Sequence, residues 1–281
     1  MHRINNSTAQ VPVRKLREDS FSDTQDIVAA EEPLEILLKY HLEGQSKQQV
    51  VSVTMRTPGN DEELAAGFLF TEGIIQNNAQ IRSVAAVPFT ENKIMVELKE
   101  NVSPVLHKSE RNFYTTSSCG VCGKASVEAI KTASVFPVTA DNIKIEAELL
   151  YGLPGKLREK QVNFNSTGGL HASGLFDLSG NFILLREDVG RHNALDKVIG
   201  AALREEKLPL ADTIQLLSGR ASFELIQKAM MAGIKIVAAI GAPSTLAVHA
   251  AEEAGITLIG FLKNRNFNIY TNTKRIIVGA G

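Results

Sequence analysis

Cysteine is nearly absent: Cys119 and Cys122 are the only two in 281 residues. Two thiols cannot staple a chain of this length, so a disulfide-built scaffold is excluded and a reducing, cytoplasmic compartment is expected. Long apolar runs are missing as well. No stretch of ~18 apolar residues offers a membrane span, and the polar segment 1–19 lacks the apolar core of a signal peptide. Neither sign of charge dominates. With 30 Lys+Arg against 31 Asp+Glu the formal net charge is −1, so bulk attraction to nucleic acid or to an anionic membrane is not expected, and any anion site must be local. Neither G-x-G-x-x-G nor G-x-x-x-x-G-K-[ST] occurs, and Gly152-Leu153-Pro154-Gly155-Lys156 fails the Walker spacing. A nucleotide therefore has to bind in some other way.

What is present is ordinary for a globular protein, with 44% hydrophobic and 22% charged residues. The length allows one large or two modest domains. The pattern predicts a mobile arm over 1–32 that ends in a short strand or two. A small α+β domain follows over 33–112, and an α/β three-layer sandwich over 113–281. In the first domain, strands are expected at 34–40, 49–55, 81–87 and 93–98. A helix is expected after Asn60, a capping residue followed by Asp61, Glu62 and Glu63, with Gly73 as its stop. In the second, 146–161 reads as a helix kinked or broken at Gly152 and Pro154, and Leu178-Ser179-Gly180 as a hairpin turn. Helices at 193–203, 222–231 and 244–253 then alternate with strands at 213–217, 234–240 and 256–262, which argues for parallel strands with helices on their faces.

The chemistry centres on Thr115-Thr116-Ser117-Ser118-Cys119-Gly120-Val121-Cys122-Gly123, just before a helical pattern at 125–131. Thiols ahead of a helix start meet unpaired N–H groups and the positive end of the dipole, which favours the thiolate. Buried small hydrophobes, a zinc half-site shared across a dimer, and thiol–disulfide exchange are the competing readings. Thiolate-based sulfur transfer ranks above them. Deamination is rejected: the H-x-E…P-C-x-x-C signature needs a carboxylate where Ser173 follows His171 and Ala172, and the cysteines precede the His.

Two turns look suited to anions, and a third loop favours a site. Ile240-Gly241-Ala242-Pro243-Ser244-Thr245 joins a strand to a helix, where Ser244 and Thr245 either bind phosphate or merely cap. Ser218-Gly219-Arg220-Ala221-Ser222 occupies the equivalent place one strand earlier and adds an Arg. Glu187-Asp188-Val189-Gly190-Arg191-His192-Asn193 crowds polar side chains around one Gly just before a helix, a density that favours a site.

Taken together, Cys119-Gly120-Val121-Cys122-Gly123, the run from Glu187 to Lys197, Ser218-Gly219-Arg220-Ala221-Ser222 and Gly260-Phe261-Leu262-Lys263 resemble the FdhD family of formate dehydrogenase accessory sulfurtransferases. The resemblance implies a cytoplasmic homodimer that takes sulfane sulfur from a cysteine desulfurase as a cysteine persulfide. The sulfur passes to the molybdenum cofactor, Mo-bis(molybdopterin guanine dinucleotide), before that cofactor enters formate dehydrogenase. It implies a second domain similar in fold to cytidine deaminases with the zinc machinery lost, and no intrinsic metal. It assigns the persulfide to Cys119, a second thiol to Cys122, and cofactor binding to Phe261, Leu262, Lys263, Asn264, Arg265 and Asn266. Asn266 stands where a basic residue is expected, with Arg265 one position earlier. The residues add Arg191, Arg220 and Lys263 as cations for phosphates, His192 as a further binding residue, and Phe261 as a guanine slot that GDP would fill as a mimic. The competing class is a non-catalytic cofactor chaperone with structural cysteines. A zinc hydrolase is third.

Overall fold

A computed structural model describes residues 2–106 and 134–279. Cys119, Cys122, the helical pattern at 125–131 and the domain boundary expected near 112 lie outside the described residues.

The N-terminal strands are β1 (His2–Arg3), β2 (Thr8–Arg17) and β3 (Ser20–Ala29). The expected arm with a short strand or two is instead a long hairpin, with β2 and β3 paired antiparallel from Thr8↔Ala29 to Arg17↔Ser20. Its turn holds Glu18 and Asp19 at φ 45° and 64°. Those left-handed positions are usually filled by Asn or Gly, which is why the sequence gives no turn signal here. A two-pronged Arg14–Asp23 pair, at 2.7 and 3.0 Å, ties the strands.

β4 (Glu32–Leu42) and β5 (Gln45–Arg56) follow, then α1 (Asp61–Thr71), β6 (Ile81–Ala86) and β7 (Lys93–Leu98), giving a sheet ordered β5-β4-β7-β6. Asn60 stands at the N-cap of α1 as expected, but it sits at φ 58° and its side chain makes no cap. Instead Asp61 grips Arg56 with both oxygens, at 3.0 and 2.8 Å. Buried residues run around the whole of α1, from Leu64 to Thr71. A helix buried on every side lies between two packed layers.

The rest of the chain gives β8 (Ile145–Glu146), α2 (Ala147–Lys160), α3 (Val162–Thr167), β9 (His171–Asp177), β10 (Phe182–Asp188), α4 (Arg191–Arg204), β11 (Thr213–Leu217), α5 (Phe223–Met231), β12 (Ile236–Ala239), α6 (Thr245–Glu253), β13 (Thr257–Lys263), β14 (Asn266–Ile269) and β15 (Ile276–Ile277). α2 runs unbroken through Pro154, and the expected break falls at Gln161. Leu150, Leu153 and Leu157 form a buried stripe, so packing outweighs the hydrogen bond lost at Pro154. β14 was not expected. It returns antiparallel along β13 to complete a six-stranded sheet ordered β10-β9-β11-β12-β13-β14.

β11, β12 and β13 are parallel, joined through α5 and α6. One face of this sheet packs on α2 through Ala172, Phe176, Ile214 and Ile236. The other packs on α4, α5 and α6 in a core that continues into α1 and the four-stranded sheet. The two parts therefore share an interior. α1 crosses α4 where glycine meets glycine: a Cβ on Gly67 would overlap the Asp196 carbonyl, and one on Gly200 would overlap that of Glu63. Beside this crossing Lys228 Nζ is buried against Asp196, at 2.9 and 3.0 Å, and Thr71 Oγ1, at 2.9 Å. Arg186 braces the same crossing by gripping Glu63 at 2.5 and 2.7 Å.

The described chain on either side of 107–133 is tied down by hydrogen bonds to the two helix ends. Val105 N–H donates to Ile74 beyond the end of α1, and Ser134 Oγ donates to Met230 at the end of α5.

Gly67→Ala or Gly200→Ala forces α1 and α4 apart and costs about 3 kcal/mol or more, at the upper end of overpacking penalties. Asp196→Ala leaves buried Lys228 only the more distant Glu72 carboxylate, 3.5 Å away, and is expected to cost about 3 kcal/mol, the lower end for breaking a buried pair. Denaturant unfolding of the full chain checks both, and wild-type midpoints would contradict this packing.

Candidate functional site

In a sheet with parallel strands, ligands collect in the crevice beyond the carboxyl ends. Here the turns after β10, β11, β12 and β13 all emerge on that edge, together with the start of antiparallel β9. The sequence-selected residues spread along it. Arg191 and His192 open α4, Arg220 stands after β11, Ser244 and Thr245 after β12, and Phe261 to Asn266 end β13 and begin β14. Neighbouring strands lie ~4.8 Å apart, so the row extends over roughly 20 Å.

The turns are locked to one another. Gly241 N–H donates to Gly219 at 3.0 Å, Ala221 N–H to Ala242 at 3.1 Å, and Ser244 N–H to Ala221 at 3.0 Å. A Cβ on Gly241 would lie 3.0 Å from the Arg220 nitrogen, so only glycine lets these two turns stack without a shift. Ser244 Oγ accepts from Ala247 N–H at 3.2 Å, which is the capping alternative for that hydroxyl; Thr245 is exposed.

The crowded 187–193 run divides into structural and available groups. Glu187 accepts from Asn163 and Phe164 N–H at the start of α3, at 3.0 and 2.8 Å. Asp188 is fully buried, 2.7 Å from Lys197 Nζ, and accepts from the N–H groups of Thr57 and Gly190. Asn193 bonds to Thr54, Met55 and Asp188. Glu187 fastens the loop to α3, and Asp188 and Asn193 fasten it to β5 and its exit.

Arg191 and His192 differ. Arg191 Nε and His192 Nδ1 are buried and find no partner among the described residues. His192 Nε2 faces Glu224 Oε2 at 2.8 Å and Ser222 Oγ at 3.3 Å. His171 joins them from β9: a Cβ on Gly219 would be 3.3 Å from its Nδ1. Burial, and then the charges of Arg191, His192 and Arg220, hold the His171 imidazole below the usual histidine range against the opposing pull of Asp188. The ring is therefore neutral at pH 7 and able to donate or accept.

At the far end, β13 bulges after Gly260 and turns tightly into β14. Lys263 pairs with Asn266 across Asn264 and Arg265, held at φ 50° and 59°, the geometry of a type I′ turn. Phe261 is 42% exposed with φ 56°, a strained conformation for a bulky residue that often marks a site. Lys263 is exposed. Leu262 is not available, because its side chain is fully buried against the α2 face. Arg265 stands 5.2 Å over the Tyr151 ring and 3.5 Å from Glu148, so it leans toward α2.

Sequence reasoning missed His171 and Glu224 as members of the site. The only early signal for His171 was its place in the discarded deaminase trace. Among the described residues, no group of three or more His, Cys, Asp or Glu is placed to hold a metal ion, and no helix is long and apolar enough to cross a membrane.

Residues 29–277 match the FdhD/NarQ family. The chain is 49% identical over 258 residues to the sulfur carrier protein FdhD of Mycolicibacterium paratuberculosis, covering 89% of this chain and 92% of that one. It is 42% identical over 268 residues to the protein of that name in Sulfurisphaera tokodaii, covering 95% and 98%. A crystal structure described as a formate dehydrogenase accessory protein of Desulfotalea psychrophila superposes with a TM-score of 0.72 at 24% identity, covering 96% of this chain and 99% of that one.

Removing a cation beside His171 raises its pKa toward the usual histidine value. The rise is expected to be larger for Arg191→Ala than for the more remote Arg220→Ala. Ring resonances followed by NMR through a pH titration report it directly, and identical midpoints in both variants and the wild type would contradict the arrangement.

Proposed function

The chain belongs to the FdhD/NarQ family, and from that premise we propose that it is a sulfurtransferase acting between a cysteine desulfurase and the molybdenum cofactor of formate dehydrogenase. The Cys119 thiolate attacks the terminal sulfur of the desulfurase persulfide. The old S–S bond breaks, the desulfurase leaves as a thiolate, and Cys119 holds the sulfur as its own persulfide. Mo-bis(molybdopterin guanine dinucleotide) is the acceptor and is bound as a substrate. Cys122 tunes or relays the thiol beside it. The protein works in the cytoplasm as a homodimer.

The observation that carries the acceptor half is the row of cations and one strained, exposed aromatic along a single sheet edge. Arg191 and Arg220 stand at one end with His192, and Phe261 and Lys263 at the other. A nucleotide-bearing ligand asks for this combination: an apolar face for the base and paired donors for its phosphates. The buried, unpartnered Arg191 Nε and His192 Nδ1 suit an acceptor-rich ligand. The sheet order, with an antiparallel hairpin beside three parallel strands, is in keeping with a deaminase-like second domain that now binds instead of hydrolysing.

The sulfur half rests on the family and on the small, polar sequence that precedes Cys119.

Incubation with a cysteine desulfurase and cysteine is expected to add about 32 Da, one sulfur, to the Cys119 peptide. Cys119→Ala is expected to lose the adduct and the transfer while binding GDP normally. Lys263→Ala is expected to weaken GDP about tenfold and leave the adduct in place, since one charge-assisted contact is worth about 1.5–3 kcal/mol. Transfer retained by Cys119→Ala would end the assignment.

A further inference from the structure

Toward its turn the β2–β3 hairpin is open to solvent: every residue from Ser20 to Asp26 is exposed. Its base is fixed, with Thr8 and Ala9 buried and Ser7 Oγ donating to Pro58 at 3.0 Å. Ala29 lies against Gly169, two residues before His171, so the hairpin begins beside the carboxyl edge of the six-stranded sheet. Ten residues of strand then carry its turn roughly 30 Å from that base. Leu16 and Phe21 pair across the strands at the far end, so their side chains share one face, and they are 59% and 70% exposed. Glu18 and Asp19 in the turn outnumber Arg17 beside them. A two-stranded hairpin is marginal in water by itself. The Arg14–Asp23 and Lys15–Asp26 pairs that cross this one are exposed and contribute little. Such an arm calls for a surface to lie on.

The opposite edge of the sheet carries a pocket that matches it. At the amino ends of β11, β12 and β13 a cavity of about 220 Å³ is lined by Phe136, Pro137, Val138, Pro209 and Met230. It opens to solvent, since Pro137, Val138 and Pro209 are exposed. The volume falls below the ~300–1,000 Å³ of small-molecule sites and suits one or two large side chains. The charged residues of its lining are Lys235 and Arg275, which share the single carboxylate of Asp141 at 3.0 and 2.8 Å. Arg275, and after it Lys235, holds that carboxyl well below the usual range against its burial. One positive charge is therefore left over beside apolar walls.

Tip and pocket are complementary in both respects, an apolar pair with surplus carboxylate against apolar walls with a surplus cation. The chain's own tip belongs to an arm that starts at the other edge, and it is exposed, so the occupant comes from a second copy. Two copies set side by side with their sheets antiparallel bring the carboxyl edge of one level with the amino edge of the other. The exchange is then reciprocal, and the contact closes under a two-fold axis. Covering one face of each arm and the surface beneath it removes about 1,200 Å² from water, the lower limit for a stable dimer. One arm laid on a foreign protein removes half of that.

We propose that the β2–β3 hairpin is an exchange arm, whose Leu16–Phe21 tip fills the Phe136–Pro209 pocket of a second copy while Glu18 and Asp19 face Lys235 and Arg275. The arm rests on the homodimer of the functional reading and supplies its contacts. It involves no sulfur chemistry.

Light scattering of the full chain during gel filtration reads the assembly. Leu16→Asp with Phe21→Asp, at positions whose exposure spares the fold, is expected to raise the dimer dissociation constant about a hundredfold, as two large apolar side chains leave the contact. Glu18→Lys with Asp19→Lys is expected to raise it about tenfold by setting like charges together. Cross-linking reads the position. Phe21→Cys chains are mixed with Pro209→Cys chains, both also carrying Cys119→Ser and Cys122→Ser, and treated with a short bismaleimide. Peptide masses are expected to show links between positions 21 and 209.

Tip variants that stay dimeric, or links that join position 21 only to position 21, would overturn the arm and leave the homodimer standing. A wild-type chain that runs as a monomer removes both. A tip variant that turns monomeric and still gains sulfur on Cys119 upholds the arm independently of the sulfur assignment.

Discussion

Two backbones in contact set the geometry of this protein. Where α1 crosses α4, Gly67 faces the carbonyl of Asp196 and Gly200 faces that of Glu63, so neither position has room for a single carbon. Such an approach aligns the helices closely, and it is held from the flanks by buried charge. Lys228 reaches Asp196 and Thr71 on one side, while Arg186 grips Glu63 on the other. The crossing joins the four-stranded sheet to the six-stranded one, and their apolar residues merge into one core. A division into a small domain and a large one describes the order of the chain better than the packing.

The functional edge inherits its precision from that crossing. α4 is pinned near its middle by the glycine contact, and its first turn is pinned by Asp188, Asn193 and Lys197 to the exit of β5. Arg191 and His192 therefore project from a rigid start, and the turn bearing Arg220 is bonded in its turn to the one bearing Ser244. Preorganised donors of this kind spend little entropy on meeting a ligand. The opposite end of the row is built differently. Phe261, Asn264 and Arg265 hold left-handed backbones in a tight hairpin, a local strain tolerated because Leu262 between them is anchored in the core.

Much of this was legible in the sequence. The strand–helix alternation after Gly190 gave the parallel strands, because Leu217 and Ile240 each end an apolar run before a turn rich in small residues, and Leu262 ends a third. The anion turns were found for a physical reason as well, since Gly, Ser and Arg between a strand and a helix have few other uses. What stayed hidden depended on contacts distant in the chain. Nothing local marks His171 as a neighbour of Arg191 and Arg220, because only the antiparallel pairing of β9 with β11 brings it to their edge. Likewise Glu187, Asp188 and Asn193 looked like site residues, yet their partners lie on α3 and β5. The N-terminal hairpin escaped because its turn uses Glu18 and Asp19 where Gly is usual, and α2 kept its course through Pro154 because three leucines hold it down.

The claim on which the rest stands is that the carboxyl edge of the six-stranded sheet is the seat of a nucleotide-bearing ligand. A crystal structure of the full chain grown with GDP examines it most directly. The account predicts electron density along that edge, with the guanine against Phe261 and the diphosphate directed toward the start of α4. Density at the opposite edge, beside Met230 and Gly233, or in the cleft lined by Arg56 and Asp61, would contradict it.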